Sequence, residues 1–140
     1  MMEAIKRILL TVLLSGIIGW EREKRNKGAG LRTHILVGIG SALIVLTSYY
    51  IFDIYKSQVA MDPSRIIANI VTGIGFLCAG TIIRAGDNVI GLTTAASLWV
   101  VSGIGMAVGA GLYDVSIFTT IVVFLVLVGM RSFDRIIREK

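Results

Sequence analysis

Read for polarity alone, the chain is a succession of apolar stretches broken by short charged segments. The stretches fall near residues 4–20, 34–52, 66–83, 91–111 and 115–130. Most are close to the roughly 20 residues that a helix needs to cross a bilayer. The pattern predicts an all-α integral membrane protein, a polytopic bundle of about five transmembrane helices in a single domain covering residues 1–140. The first stretch is short: Ile8 to Trp20 spans only about 20 Å at helical rise. Lys6 and Arg7 are expected to snorkel, and Trp20 to anchor at the interface. This N-terminus imitates a secretory leader but lacks an obvious small-residue cleavage site, so it is expected to remain as the first helix.

Composition agrees. Apolar residues make up 55% of the chain and charged residues 16%, with a mean hydropathy of +0.82. A soluble domain of this length needs far more polar surface. The net charge of +5 would suggest nucleic acid in a soluble protein. Here Lys and Arg sit between apolar runs, so the expected partner is an anionic membrane surface and not nucleic acid. With five spans, ten basic residues share one side: Arg22, Lys24, Arg25, Lys27, Arg32, Arg84, Arg131, Arg135, Arg138 and Lys140. Lys6, Arg7, Lys56 and Arg65 take the other. The positive-inside rule then places the N-terminus outside and the C-terminus in the cytoplasm, with the tail Arg131–Lys140 prolonging the last helix as a basic anchor.

Polar residues inside apolar stretches carry the functional expectations. In the third stretch Asp62 is a good N-cap, Pro63 suits the first turn, and Arg65 lies within ion-pair reach of Asp62. Helical winding places Arg65, Asn69, Thr72, Gly73, Phe76, Ala79 and Gly80 on one side, and Ile66, Ile67, Ile70, Val71, Ile74, Leu77 and Ile82 on the other. Lipid offers no hydrogen bonds, so the Asn69 face is predicted to point inward and the aliphatic face to lipid. Thr81 is expected to bond back to the Leu77 carbonyl. In the fourth stretch Gly91, Thr94, Ala95, Leu98, Ser102, Gly105 and Gly109 align at helical spacing, Gly105 and Gly109 as a GxxxG pair. Tight packing of spans three and four is expected, joining Asn69 to Thr93, Thr94 and Ser102. Gly73, Gly75, Gly80 and Gly103 are further candidate packing positions, and GxxxG faces also permit a homodimer. In the first loop Glu21 and Arg25 are spaced for an ion pair. Arg32, Thr33 and His34 stand at the mouth of the second span, where donors could bind phosphate or a carboxylate.

Catalysis finds little support. One cysteine and one histidine exclude a multi-cysteine or multi-histidine metal site within the chain. No nucleophile–base pair or phosphate loop appears. The nine acidic residues lie in predicted loops, ends or tails, whereas Mg²⁺ takes carboxylate and water oxygens. No fixed cofactor is expected, and Mg²⁺ enters only as cargo or signal.

The segments "GWERE", "AGLRTHILVGIGSAL", "DPSRIIANIVTGIGFLCAGTI" and "GLTTAASLWVVSGIGMAVGAG" resemble the MgtC/SapB family of prokaryotic membrane proteins, in order and over nearly the whole chain. The resemblance implies a hydrophobic domain of about five spans in the prokaryotic inner membrane. It also implies links to magnesium limitation, acid stress and virulence, and regulation of ATP synthase. It draws attention to Glu21, Arg22, Arg32, Thr33, His34, Asp62, Pro63, Ser64, Arg65, Asn69, Thr93, Thr94 and Trp99. Asn69 stands where many members have glutamine, and Cys78 where glycine is usual. Many members carry a further soluble C-terminal domain, whereas this sequence stops at Lys140. Three functions fit: a regulatory or accessory membrane protein acting through contacts with other membrane proteins, an ion transporter or channel for Mg²⁺, and an oligomeric scaffold. Arg65 near a hydrated path would repel a dication, which favours the regulator.

Overall fold

A computed structural model describes residues 1–57 and 62–138, the side chains of 131–138 excepted. Five helices form, α1 (Met2–Lys24), α2 (Leu31–Tyr55), α3 (Pro63–Ala79), α4 (Leu92–Ala110) and α5 (Tyr113–Arg138). A small hairpin, β1 (Ile83–Ala85) with β2 (Asn88–Ile90), lies between α3 and α4. The α2, α4 and α5 helices are long and apolar enough to cross a membrane; α3 is a shorter apolar helix of 17 residues. The five expected spans thus appear as five helices, of which three meet the length and composition of a span.

Local chemistry sets the boundaries. Gly30 precedes α2 and has no side chain to cap it, so the Leu31 amide donates instead to Glu23 Oε2 at 2.7 Å. A Cβ on Gly30 would stand 2.6 Å from that oxygen. Asp62 caps α3 through a 2.9 Å bond from the Ser64 amide, with Pro63 in the first turn. The α4 helix ends on Gly111, left-handed at φ 91°, with Gly111 N–H bonded to the Val108 carbonyl and Leu112 N–H to that of Ala107. That pair of bonds is a Schellman end.

The expected third span at 66–83 is corrected. The α3 helix stops at Ala79, and Ile83 begins a strand, pairing with Ile90. Gly86, at φ 62° in the first position of a two-residue loop, supplies the backbone twist that a tight hairpin requires. Thr81 bonds to the Cys78 carbonyl at 2.8 Å, one residue short of the anticipated Leu77.

The helices run alternately up and down. At one end Arg7 donates to the Gly109 carbonyl at 2.7 Å and to the Tyr113 hydroxyl at 3.0 Å, so it binds inward onto the end of α4 and does not snorkel. The negative end of the α4 dipole lies there. At the other end Ala29 packs with Cys78, Ala95 and Leu98. That second end holds Arg22, Lys24, Arg25, Lys27, Arg32 and Arg84, and the α5 backbone returns toward it. Lys140 lies outside the described residues, and the side chains of Arg131, Arg135 and Arg138 are likewise undescribed.

The core is built by α1, α2 and α4. Gly19 of α1 abuts α2, where an added Cβ would come within 2.9 Å of Leu31 Cα and His34 Cβ. Gly38 of α2 faces Ser15 and Thr11. Gly105 rests on the backbone of Gly38, and Gly109 on that of Ala42. The GxxxG pair therefore joins α4 to α2; α3 does pack on α4 as expected, but through Ile74 and Cys78 and not through these glycines. Leu14, Ile18, Val101, Ile104 and Val108 fill the space between α1 and α4. Buried hydroxyls line this interior, while Leu36, Phe76, Trp99, Phe118 and Leu125 are exposed outside. Such a distribution suits a solvent of hydrocarbon, and the molecule is an all-α membrane protein.

Candidate functional site

Two regions collect the candidate residues. The first is the basic end of the bundle, where α1, α2 and α4 meet. Glu21 and Arg22 are buried in the last turns of α1, only 5% and 6% exposed by side chain. Glu21 pairs with Arg25 at 3.3 Å, the spacing anticipated, and approaches Arg22 at 3.5 Å. Glu21 Oε2 and Arg22 Nε have no hydrogen-bond partner among the described residues. Holding an ion pair this deep costs desolvation that its Coulomb attraction must offset.

His34 lies beside them, fully buried in the first turn of α2. Its Nδ1 is 2.8 Å from the Gly30 carbonyl and its Nε2 3.0 Å from Ser97 Oγ on α4. Ser97 also donates to the Thr94 carbonyl at 2.8 Å. The expected mouth cluster is thus divided. Arg32 is exposed, Thr33 is half-buried, and His34 turns inward. The helical rotation of 100° per residue separates neighbours in sequence, and the close approach of Gly19 admits only the His34 side of α2. On α4, Thr94 is buried, while Thr93 and Trp99 face outward.

The second region is the outer face of α3, and here the expected orientation is reversed in part: Val71, Leu77 and Ile82 are exposed as anticipated, but the rest of the aliphatic face turns inward. Ile70 and Cys78 are buried and Ile66, Ile67 and Ile74 half-buried, whereas Arg65, Asn69, Thr72 and Gly73 are exposed. The aliphatic face packs on α2 and α4, and Cys78 donates to the Ala95 carbonyl at 3.2 Å. Asn69 does not join Thr93, Thr94 or Ser102; Ser102 pairs with Ser41 of α2 at 2.8 Å. Asn69 instead lines a groove of about 370 Å³ between α2 and α3, walled by Leu36, Ile44, Ile66 and Ile70, with Gly40 and Gly73 at its sides. Among the described residues its carboxamide has no hydrogen-bond partner. Gly73, Gly75 and Gly103 meet nothing within 4 Å, and Gly80 meets only carbonyls of its own helix end, so none of these four makes a helix contact here. Asp62 and Arg65 do not pair. Bonds from Ser64, side chain first and then backbone, occupy the Asp62 carboxyl and hold it below the usual carboxylate range.

Sequence reasoning missed Ser97, Ser41, Gly19 and Gly38. Ser97 lies three residues after Thr94 on the same face, a spacing that could have marked it. Ser41 and Gly38 offered only the glycine-serine richness common to packed membrane helices.

With this geometry in place, comparison with known proteins is informative. The chain is 49% identical over 127 residues to YhiD of Escherichia coli K12, described as "Putative magnesium transporter YhiD", covering 89% of this chain and 59% of that protein. It is 41% identical over 128 residues to Protein MgtC of Salmonella typhimurium, covering 91% and 52% respectively. Protein MgtC of Brucella abortus is 44% identical over 116 residues, 81% of this chain and 45% of its own. The chain thus spans about half the length of the curated relatives it matches. No solved structure matches it. Residues 8–136 match the MgtC family, nearly the whole five-helix bundle, and the chain belongs to that family.

Proposed function

We propose that residues 1–140 form one multi-pass domain of the prokaryotic inner membrane, with the N-terminus outside and the basic end in the cytoplasm. In this reading it is a regulatory or accessory protein that acts by contact with other membrane proteins, and it performs no catalysis. The observation that carries the reading is the outer face of α3. Asn69 stands exposed beside an apolar groove, on a helix that this reading sets in hydrocarbon, where water is not on offer. A carboxamide there gains most from a protein partner that supplies hydrogen bonds, and Gly73 and Gly75 leave room for a close-packed helix. Magnesium limitation is the condition we assign, with Mg²⁺ as signal rather than resident ligand. The description of the Escherichia coli relative and the family resemblance support it. ATP synthase, which the resemblance implies, and a second copy of the chain are the partners to test first.

A photoreactive residue beside Asn69 in the native membrane tests this directly. Cross-linking to a discrete protein, lost on Asn69→Leu with insertion intact, is the expected result. A fully active Asn69→Leu variant would sink it.

Transport of Mg²⁺ is the second reading, supported by the description of YhiD. Against it, α4 rests backbone on backbone against α2 at Gly105 and Gly38, where a dication would need a hydrated path. Flux of Mg²⁺ into liposomes that depends on Asn69 would overturn the regulator.

A further inference from the structure

The hydrogen count around His34 points to a site that neither regulation nor transport requires. A carbonyl oxygen only accepts, so at 2.8 Å from the Gly30 carbonyl Nδ1 must carry hydrogen. Ser97 has one hydroxyl hydrogen and two claims on it. One is the Thr94 carbonyl at 2.8 Å, the other Nε2 at 3.0 Å. If the ring is neutral, Nε2 is a lone-pair acceptor. Ser97 then either turns to it and abandons Thr94, or stays on Thr94 and leaves two lone pairs facing each other. One added proton removes the conflict. Nδ1–H donates to Gly30, Nε2–H to Ser97, and the Ser97 hydroxyl to Thr94, each at the separation observed.

We propose that His34 is a proton-binding site joining α2 to α4, loaded from the aqueous phase at the basic end of the bundle. The lone pair of Nε2 takes a proton from hydronium, forming an N–H bond and releasing water. The ring gains one positive charge, and the Ser97 hydroxyl hydrogen swings from Nε2 to the Thr94 carbonyl. No other bond changes. His34 is in the first turn of α2, at the basic end of the bundle, so the proton need not cross the full apolar interior.

The groups around it are defined. Burial of the ring first, and to a lesser extent the Arg22 guanidinium of α1, oppose its charge, while the bond to the Gly30 carbonyl favours it. Glu21 of α1 is already engaged with Arg22 and Arg25. Glu23 is occupied with the Leu31 amide, and Arg25 with Glu21. Arg32 of α2 points away to solvent. From α4 the Ser97 hydroxyl meets the ring, backed by the Thr94 carbonyl, and from α3 the Cys78 thiol is turned to the Ala95 carbonyl. Acidification therefore adds one buried charge at the α2–α4 joint and makes a neutral contact a charge-assisted one.

The chain has a single histidine, which makes the test direct and independent of any partner or cargo. Ring-¹⁵N-histidine protein in nanodiscs is titrated by NMR from about pH 8 to about pH 4, a range that brackets the free imidazole. The expected neutral form is the Nδ1–H tautomer, the minor one in water, converting on acidification to a ring with both nitrogens protonated. A neutral Nε2–H tautomer, or a ring that stays neutral throughout, overturns the proposal. Ser97→Ala should lower proton affinity about tenfold, one pH unit, because the new N–H loses its acceptor. Ser97→Thr should restore it. An unchanged midpoint in Ser97→Ala removes Ser97 from the site, and the tautomer measured in the unaltered chain decides the rest without any variant.

Discussion

The α3 and α4 helices are both apolar and glycine-rich, yet the bundle uses them in opposite ways. On α4, Gly105 and Gly109 are filled by the backbone of α2, and Ser97 and Ser102 find partners on the same neighbour. On α3, Gly73 and Gly75 meet nothing, and Asn69 faces outward. Glycine content therefore does not identify a packed face; a neighbouring backbone within reach does. The difference also separates roles. The α4 face is committed to holding the molecule together, and the α3 face remains available for a partner.

The strongest challenge to this comparison is to add the same methyl group on each side. Gly105→Ala drives a Cβ into the Gly38 carbonyl, which must shift, since both atoms belong to helix backbones. We expect a loss of about 1–3 kcal/mol in unfolding measured in mild detergent, with further loss for Gly105→Leu. Gly73→Ala meets open space and should instead gain about 0.5–1 kcal/mol, because glycine weakens a helix interior. If the two substitutions behave alike, the distinction between the faces is wrong.

The hydroxyl pair provides a finer probe. Ser102→Ala should cost about 0.5–1.5 kcal/mol, since Ser41 keeps its 2.9 Å bond to the Val37 carbonyl and is not orphaned. A double cycle with Ser41→Ala should then show coupling, whereas Ser41 with Thr72 on the open face should not. Asn69→Leu should leave unfolding nearly unchanged while abolishing partner cross-linking, which separates a contact role from a structural one. The smallest effect belongs to the α3 cap. The Asp62 carboxyl is held below its ordinary range by the bonds from Ser64. Its contribution is therefore complete above the ordinary carboxylate range and disappears as pH falls through the lowered value. Protection of the Ser64 amide against exchange, taken relative to its intrinsic rate at each pH, should fall on acidification, and Asp62→Asn should show the lower protection with less dependence on pH.

Much of the fold was legible in the polarity pattern. Long apolar runs leave few alternatives to helices, and Asp62-Pro63 marked the start of α3 through chemistry local to four residues. The Glu21–Arg25 pair was equally accessible, because a four-residue separation on a helix fixes the distance. The failures share one cause. Asn69 was assigned inward because lipid cannot satisfy an amide, a rule that holds for the complete assembly and not for one chain. The inward side of α3 went to Ile66, Ile70 and Ile74, where Ile74 and Cys78 fit against Ala95 and Leu98 and the Cys78 thiol bonds to α4.

Sequence by itself determined the class of molecule, the number of helices, the Asp62 cap of α3, the alternation of basic and apolar segments, and membership of a family. These depend on composition and on residues within a turn or two of one another. Tertiary structure alone decided that Gly105 meets Gly38, that His34 turns away from Arg32 toward Ser97, and that Asn69 lies outside. In hydrocarbon an apolar side chain gains little by choosing protein over lipid. The faces are therefore selected by steric fit and hydrogen bonds between helices far apart in sequence, information that no single segment contains.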